Sequence, residues 1–183
     1  MSKQERFNQC LTDMKTILDK AGISFFLVCG TLLGAHRDGK FIEHDEDIDI
    51  GILSSDFNST VKDDIQKSGL FRMRIRGDVS RSLHFTNIHK NGTVIDIFLF
   101  YSMDSPEKYY HATFDGVCKS KPGGFCKLMN HLRGFTQTVF MGNTYMIPTN
   151  TEEILLESYG EDWRIPKKMT YSEGLKGGFK NIE

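Results

Sequence analysis

The sequence predicts an α+β domain in two layers, a mixed β-sheet packed with helices. Three observations predict it: one amphipathic helical stripe near the amino terminus, short apolar runs that alternate with period two, and turn signals that separate those runs. At 183 residues the chain is long enough for one sizeable core and short for two. Residues 1–166 are expected to form that single domain and 167–183 an irregular tail, rich in Lys and Gly.

Phe7, Cys10, Leu11, Met14, Ile17 and Leu18 recur at spacings of three and four, so a first helix is expected to end near Gly22. The β-rich run Ile23 to Cys29 then reads as a buried strand stopping at Gly30, with a short helix over 31–36 and a turn closed by Gly39. Asp47 to Leu53 alternates as a second strand. Ser54 or Ser55 is expected to cap a helix that faces Phe57, Val61 and Ile65 inward and stops at Gly69. Phe71, Met73 and Ile75 alternate with Arg72, Arg74 and Arg76, a strand with one basic face. The strands Ser82–His89 and Thr93–Phe100 flank Lys90-Asn91-Gly92, a strong hairpin signal. From Asp104 to His131 the periodicity is poor, with a short strand at Tyr109-Tyr110 and a basic loop at Lys119 to Gly124. A second hairpin is expected around Gly142-Asn143. Thr149 with Glu152, or Asn150 with Glu153, has capping-box spacing before a helix that Gly160 ends.

Lys plus Arg number 23 against 24 Asp plus Glu, a balance that argues against a general nucleic-acid binder. The longest apolar stretch, Ile23 to Cys29, is too short to span a membrane, and no signal peptide or anchor is read, so a cytoplasmic or otherwise soluble chain is expected. Cys10, Cys29, Cys118 and Cys126 lack tight metal-binding spacing and are expected to be free thiols.

The chemistry is concentrated in carboxylates. In Glu43-His44-Asp45-Glu46-Asp47-Ile48-Asp49-Ile50-Gly51, strand alternation puts Asp47, Asp49 and Gly51 on one face and Ile48 and Ile50 on the other. Thr93-Val94-Ile95-Asp96-Ile97-Phe98-Leu99 repeats the arrangement around Asp96. If the two strands are neighbours, Asp47, Asp49 and Asp96 meet, and acids so gathered call for a cation. Hard divalent ions such as Mg²⁺ take carboxylate oxygens of this kind. A lone Asp-x-Asp also marks the wet edge of a half-buried sheet; the third strand Asp and the upstream Gly30-Thr31 favour the metal. Same-face acids in a strand lie roughly 7 Å apart at Cα, and their side chains can converge on two ions about 3.5 to 4 Å apart.

Gly30-Thr31, at a strand end and helix start, offers backbone N–H groups and a hydroxyl to a phosphate, although a simple helix cap uses the same pair. Arg37 is placed to neutralise such a phosphate, with His36 or His44 nearby. Arg72, Arg74, Arg76 and Arg81 form a basic patch for a donor or an acidic acceptor, or simply one wet strand face. Trp163 beside Tyr159 offers a stacking ring or a closing core aromatic. Asp162 orients that segment or binds ligand, and Lys167 and Lys168 solubilise the tail.

In order, Gly30-Thr31-Leu32-Leu33-Gly34-Ala35-His36-Arg37, Phe41-Ile42, Asp45-Glu46-Asp47-Ile48-Asp49-Ile50-Gly51, Asp96 and Tyr159-Gly160-Glu161-Asp162-Trp163-Arg164-Ile165-Pro166 closely resemble the LicD and fukutin-related family, a branch of the nucleotidyltransferase fold. Glu46 stands where relatives often carry Asp, and the membrane anchor and larger amino-terminal region of eukaryotic relatives are not read in this chain. The resemblance implies a Mg²⁺- or Mn²⁺-dependent transferase with two ions. It would move a phospho-alcohol such as phosphocholine or ribitol phosphate from a nucleotide-diphosphate donor, CDP-linked, to a hydroxyl of a sugar or glycan. A nucleotidyltransferase that releases pyrophosphate and a non-catalytic nucleotide- or glycan-binding module are the alternatives.

Overall fold

A computed structural model of the chain describes residues 1–72, 74–76, 84–86, 92–102, 109–110, 128–129 and 132–168. Arg81, the Asn91 turn, Cys118, the Lys119–Gly124 loop, Cys126 and the tail beyond residue 168 lie outside the described residues. In chain order the elements are α1 (Lys3–Lys20), β1 (Phe26–Leu27), α2 (Cys29–Leu33), a π-helical turn (Gly34–Asp38), β2 (Asp47–Leu53), α3 (Ser59–Lys67), β3 (Arg74–Arg76), β4 (His84–Thr86), β5 (Val94–Ser102), β6 (Tyr109–Tyr110), β7 (Leu128–Met129), β8 (Phe135–Phe140), β9 (Asn143–Pro148) and α4 (Thr151–Tyr159).

The sheet runs β3-β4-β5-β2-β1-β9-β8, with β6 added to β5 and β7 to β6. It is mixed, as expected: β2 pairs in parallel with β5 and β1 with β9, while β1–β2, β4–β5 and β8–β9 are antiparallel. Ile48, Ile50 and Ile52 of β2 are buried in one apolar cluster with Phe7, Leu11, Met14 and Leu18 of α1 and Val61 and Ile65 of α3. The other face of β2 changes character along its length. It starts with Asp47 and Asp49 and continues to Gly51, where an added Cβ would lie 2.6 Å from the Phe26 ring and 2.8 Å from Phe100. Those two rings, 5.0 Å apart at their centroids, close over the glycine and keep water from the strand beyond the acids.

α1 begins with a capping box, Ser2 accepting from the Glu5 N–H and Glu5 from the Ser2 N–H. Several boundaries differ from the expectation. The strand expected over 23–29 pairs only at Phe26–Leu27, because the chain turns into α2 at Cys29, whose φ is 47°. Asn58, not Ser54 or Ser55, caps α3, its side-chain oxygen accepting from the Thr60 and Val61 N–H groups at 3.0 and 3.2 Å. The β8–β9 turn is Met141-Gly142, both with positive φ (50° and 84°), and Asn143 is already in β9 opposite Phe140. The type I′ form of a two-residue hairpin turn takes that backbone sign at both positions, and here Met takes the first. At α4 no capping-box bond forms; Asn150 instead accepts from the Arg133 N–H at 3.3 Å.

Candidate functional site

The site stands where β1 ends and β2 begins. Val28 N–H donates to Asp49 O at 3.3 Å, and the chain then reverses into α2. Two bonds fix that reversal to β2: the Gly30 N–H donates to Asp49 Oδ2 at 3.0 Å, and the Asp49 N–H donates to the Thr31 hydroxyl at 2.8 Å. Gly30 is required by space, since a Cβ there would overlap Asp45 Oδ2 and lie 3.4 Å from Asp49 Oδ2. Thr31 is buried, and its hydroxyl serves the Asp49 backbone. In the structure, then, Gly30 and Thr31 hold the acidic strand.

Parallel pairing of β2 with β5 sets Asp49 directly opposite Asp96 and Asp47 opposite Val94. Asp49 and Asp96 are both buried. The expected convergence of the two strands is therefore present in the register. The tightest cluster among the described residues has another membership: Asp45, Asp47 and Asp49 each offer a carboxylate oxygen within 4.8 Å of the others. Asp45 precedes the strand yet shares the odd-numbered parity of its neighbours, and extending the alternation two residues back is the signal that finds it.

The electrostatics agree with the geometry. Desolvation and the Asp47 charge push the Asp45 carboxyl up to about 7. Desolvation also raises Asp47 above the ordinary carboxylate range, against hydrogen bonds that lower it. Asp49 is raised well above it, first by burial and then by the charges of Asp47, Asp45 and Asp96. Burial and the same acids also push up the Cys29 thiol and the Tyr159 phenol, which places both within the field of the cluster. Crowded carboxylates that resist ionisation are an incomplete charge set, and an all-oxygen donor group of this kind suits Mg²⁺ or Mn²⁺.

Arg37 and Trp163, two of the remaining expected site residues, meet each other in a corner. Arg37 pairs with Asp38 through two bonds, at 2.9 and 2.7 Å, and donates to Trp163 O at 3.1 Å. Trp163 is 4% exposed, with the His36 ring 5.8 Å away and the Arg164 guanidinium 4.1 Å over its own ring. Glu152 ties the corner to α4, accepting from Arg164 at 2.8 Å and lying 3.6 Å from His36 Nε2. Asp162 pairs with Lys167 at 2.6 Å. Arg72 is exposed and precedes β3, and Arg74 and Arg76 are placed by backbone alone, opposite Thr86 and His84. His44 is exposed beside Asp45.

Residues 22–150 match the family described as LicD/FKTN/FKRP, nucleotidyltransferase domain. The chain is 31% identical over 151 residues to a protein of Macaca fascicularis named ribitol-5-phosphate transferase FKTN, covering 82% of this chain and 32% of that protein. The human protein of the same name is 30% identical over the same shares. An uncharacterized Caenorhabditis elegans protein, T07A5.1, is 23% identical, covering 96% of this chain and 51% of its own length. The chain thus spans about a third of the length of the named transferases it matches. In three dimensions it is similar to ANT(2″)-Ia, solved in complex with adenylyl-2″-tobramycin, with a TM-score of 0.51, 12% identity and coverage of 93% of this chain and 84% of that one. The fold is therefore that of a nucleotidyltransferase, and this chain belongs to the LicD/FKTN/FKRP family.

Proposed function

We propose that the chain is a divalent-metal-dependent transferase that moves a phospho-alcohol, ribitol phosphate or phosphocholine, from a CDP-linked donor to a hydroxyl of a sugar or glycan. The observation that carries this reading is the acidic cluster of β2 set in register against Asp96, in a chain whose relatives include named ribitol-5-phosphate transferases. Asp47 and Asp49 would hold the ions, with Asp45 beside them and Asp96 facing from β5. Bound Mg²⁺ or Mn²⁺ would neutralise the donor diphosphate and stabilise the charge that develops as its bridge breaks.

The chain's own residues supply the rest. The acceptor hydroxyl attacks the phosphorus that bears the alcohol, the new P–O bond replaces the diphosphate bridge, and CMP leaves. Asp96, buried beside Asp49, is the residue assigned to take the hydroxyl proton. Gly30 and Thr31 fix Asp49 while this happens. The Phe26 and Phe100 rings exclude water beyond the acids.

The test is to identify the released nucleotide. The chain is incubated with Mg²⁺ or Mn²⁺, a sugar acceptor panel, and CDP-ribitol, CDP-choline, CDP-glycerol, CTP or ATP. CMP from a CDP-alcohol, lost in Asp49→Asn, supports the proposal. Pyrophosphate from CTP or ATP would replace it with nucleotidyl transfer, and donor binding without either product would leave a binding module.

A further inference from the structure

The loop that delivers Asp45 to the cluster is built around a lysine from another element. Lys3, in the first turn of α1, directs its ammonium to three backbone carbonyls: Ile42 O at 3.1 Å, Glu43 O at 2.6 Å and Asp45 O. An ammonium has three N–H donors and no acceptor, so these carbonyls satisfy it. The next residue repeats the attachment. Gln4 Nε2 donates to Phe41 O at 2.8 Å while Gln4 Oε1 accepts from the Phe41 N–H at 3.1 Å, a side-chain amide standing in for a neighbouring strand. Phe41 is buried against the rings of Phe7 and Phe140, at 5.3 and 4.7 Å between centroids. The segment between that anchor and β2 makes one turn, closed by the Asp45 N–H on Ile42 O at 3.2 Å.

The geometry points to Lys3 as the positioning residue of the cation site, holding Asp45 in the cluster by gathering the carbonyls of its loop. This rests on the metal-binding reading above. Carbonyls collected on the ammonium leave the Asp45 carboxylate to be presented beside Asp47 and Asp49, where Gly30 leaves room for it. The ammonium is also a fixed positive charge in the field of Asp45 and Asp47. Those two actions have opposite signs for an incoming cation: holding the loop favours binding, and the fixed charge opposes it. The inference is that holding wins.

Mn²⁺ binding to the purified chain, read as the loss of the free-ion electron paramagnetic resonance signal, separates them. Lys3→Met is expected to weaken Mn²⁺ binding about tenfold. Lys3→Arg, which keeps the charge but whose planar fork cannot meet three converging carbonyls, is expected to weaken it nearly as much. In an Asp45→Asn background, Lys3→Met should add less than about twofold, because it acts through Asp45. Binding by Lys3→Met as tight as or tighter than the original chain, or full additivity with Asp45→Asn, overturns the inference. Hydrogen exchange without metal gives the independent reading. Amides at 43–46 should exchange faster in Lys3→Met while those at 48–52 are unchanged, and unchanged exchange at 43–46 would also overturn it. If the original chain binds no Mn²⁺, the metal reading fails by itself, and exchange still decides whether Lys3 holds the loop.

Discussion

The acidic cluster and the Arg37–Trp163 corner are built from equally polar sequence, yet the fold treats their charges in opposite ways. At the corner each charge meets an opposite one: Arg37 is bound to Asp38 and to Trp163 O, Arg164 to Glu152, and Lys167 to Asp162. The guanidinium of Arg37 accordingly holds Asp38 below the ordinary carboxylate range, and that of Arg164 holds Glu152 there. In the cluster the shifts run upward, first because burial disfavours the charged carboxylates and then because each lies close to other acids. A charge completed by the protein joins elements, whereas buried charges set against their own kind are the arrangement that clusters at functional sites.

The sharpest way to break this division is Asp49→Asn. If the cluster is the working site, turnover should fall by about 10²- to 10³-fold or more and metal-induced thermal stabilisation should largely vanish. Arg37→Met should do neither. It should lower stability by about 1–3 kcal/mol by removing bonds to Asp38 and Trp163, seen in chemical denaturation, with Mn²⁺ affinity unchanged. A matching rise in donor KM would show that Arg37 also meets the donor phosphate, and equal damage to Mn²⁺ binding by both variants would abolish the division. Gly30→Ala lies between the regions in effect. Its methyl must displace Asp45, and about a tenfold loss of Mn²⁺ affinity is expected, with a stability cost of about 1–3 kcal/mol.

Acidity offers a finer test. A carboxyl raised in the folded state stabilises the fold while protonated, and that contribution is lost as pH rises through the folded value. For Asp45 the window runs from the ordinary 3.8 to about 7, and Asp47 and Asp49 shift in the same direction. The metal-free chain should therefore lose thermal stability as pH rises across that window, and saturating Mg²⁺ should flatten the loss. An unchanged slope with Mg²⁺ would show that the acids are not its ligands. The smallest effect is expected from Arg164→Ala, about 0.5–1 kcal/mol from its stacking on Trp163.

Much of the cluster is legible in the sequence because strand alternation is a local rule. Asp47, Asp49 and Gly51 fall on one face whatever surrounds them, and the buried Ile48, Ile50 and Ile52 confirm the opposite face. That β5 lies beside β2, and in parallel, is a tertiary fact that the matching pattern around Asp96 supplies only as a condition. The corner is less legible: His36 and Arg37 lie far along the chain from Trp163, and nothing local tells an arginine that meets phosphate from one that meets a backbone carbonyl. The α2 start is hidden for a related reason. Residues 23–29 have strand-like composition throughout, and the turn at Cys29 is fixed by distant Asp49, whose carboxylate accepts from the Gly30 N–H and whose N–H donates to the Thr31 hydroxyl. Lys3 gives no signal at all, since its partners are carbonyls about forty positions away.

The in-register meeting of Asp49 and Asp96 also sets how much chain the site has to close. Gly30, Asp45, Asp47 and Asp49 lie within one short stretch that the pairing of β1 with β2 draws together, whereas Asp96 stands more than forty residues beyond Asp49. Closing that span costs more chain entropy than pairing β1 with β2, by an amount that grows slowly with its length. The site therefore has one half that local pairing of β1 with β2 assembles and one half that depends on a distant strand.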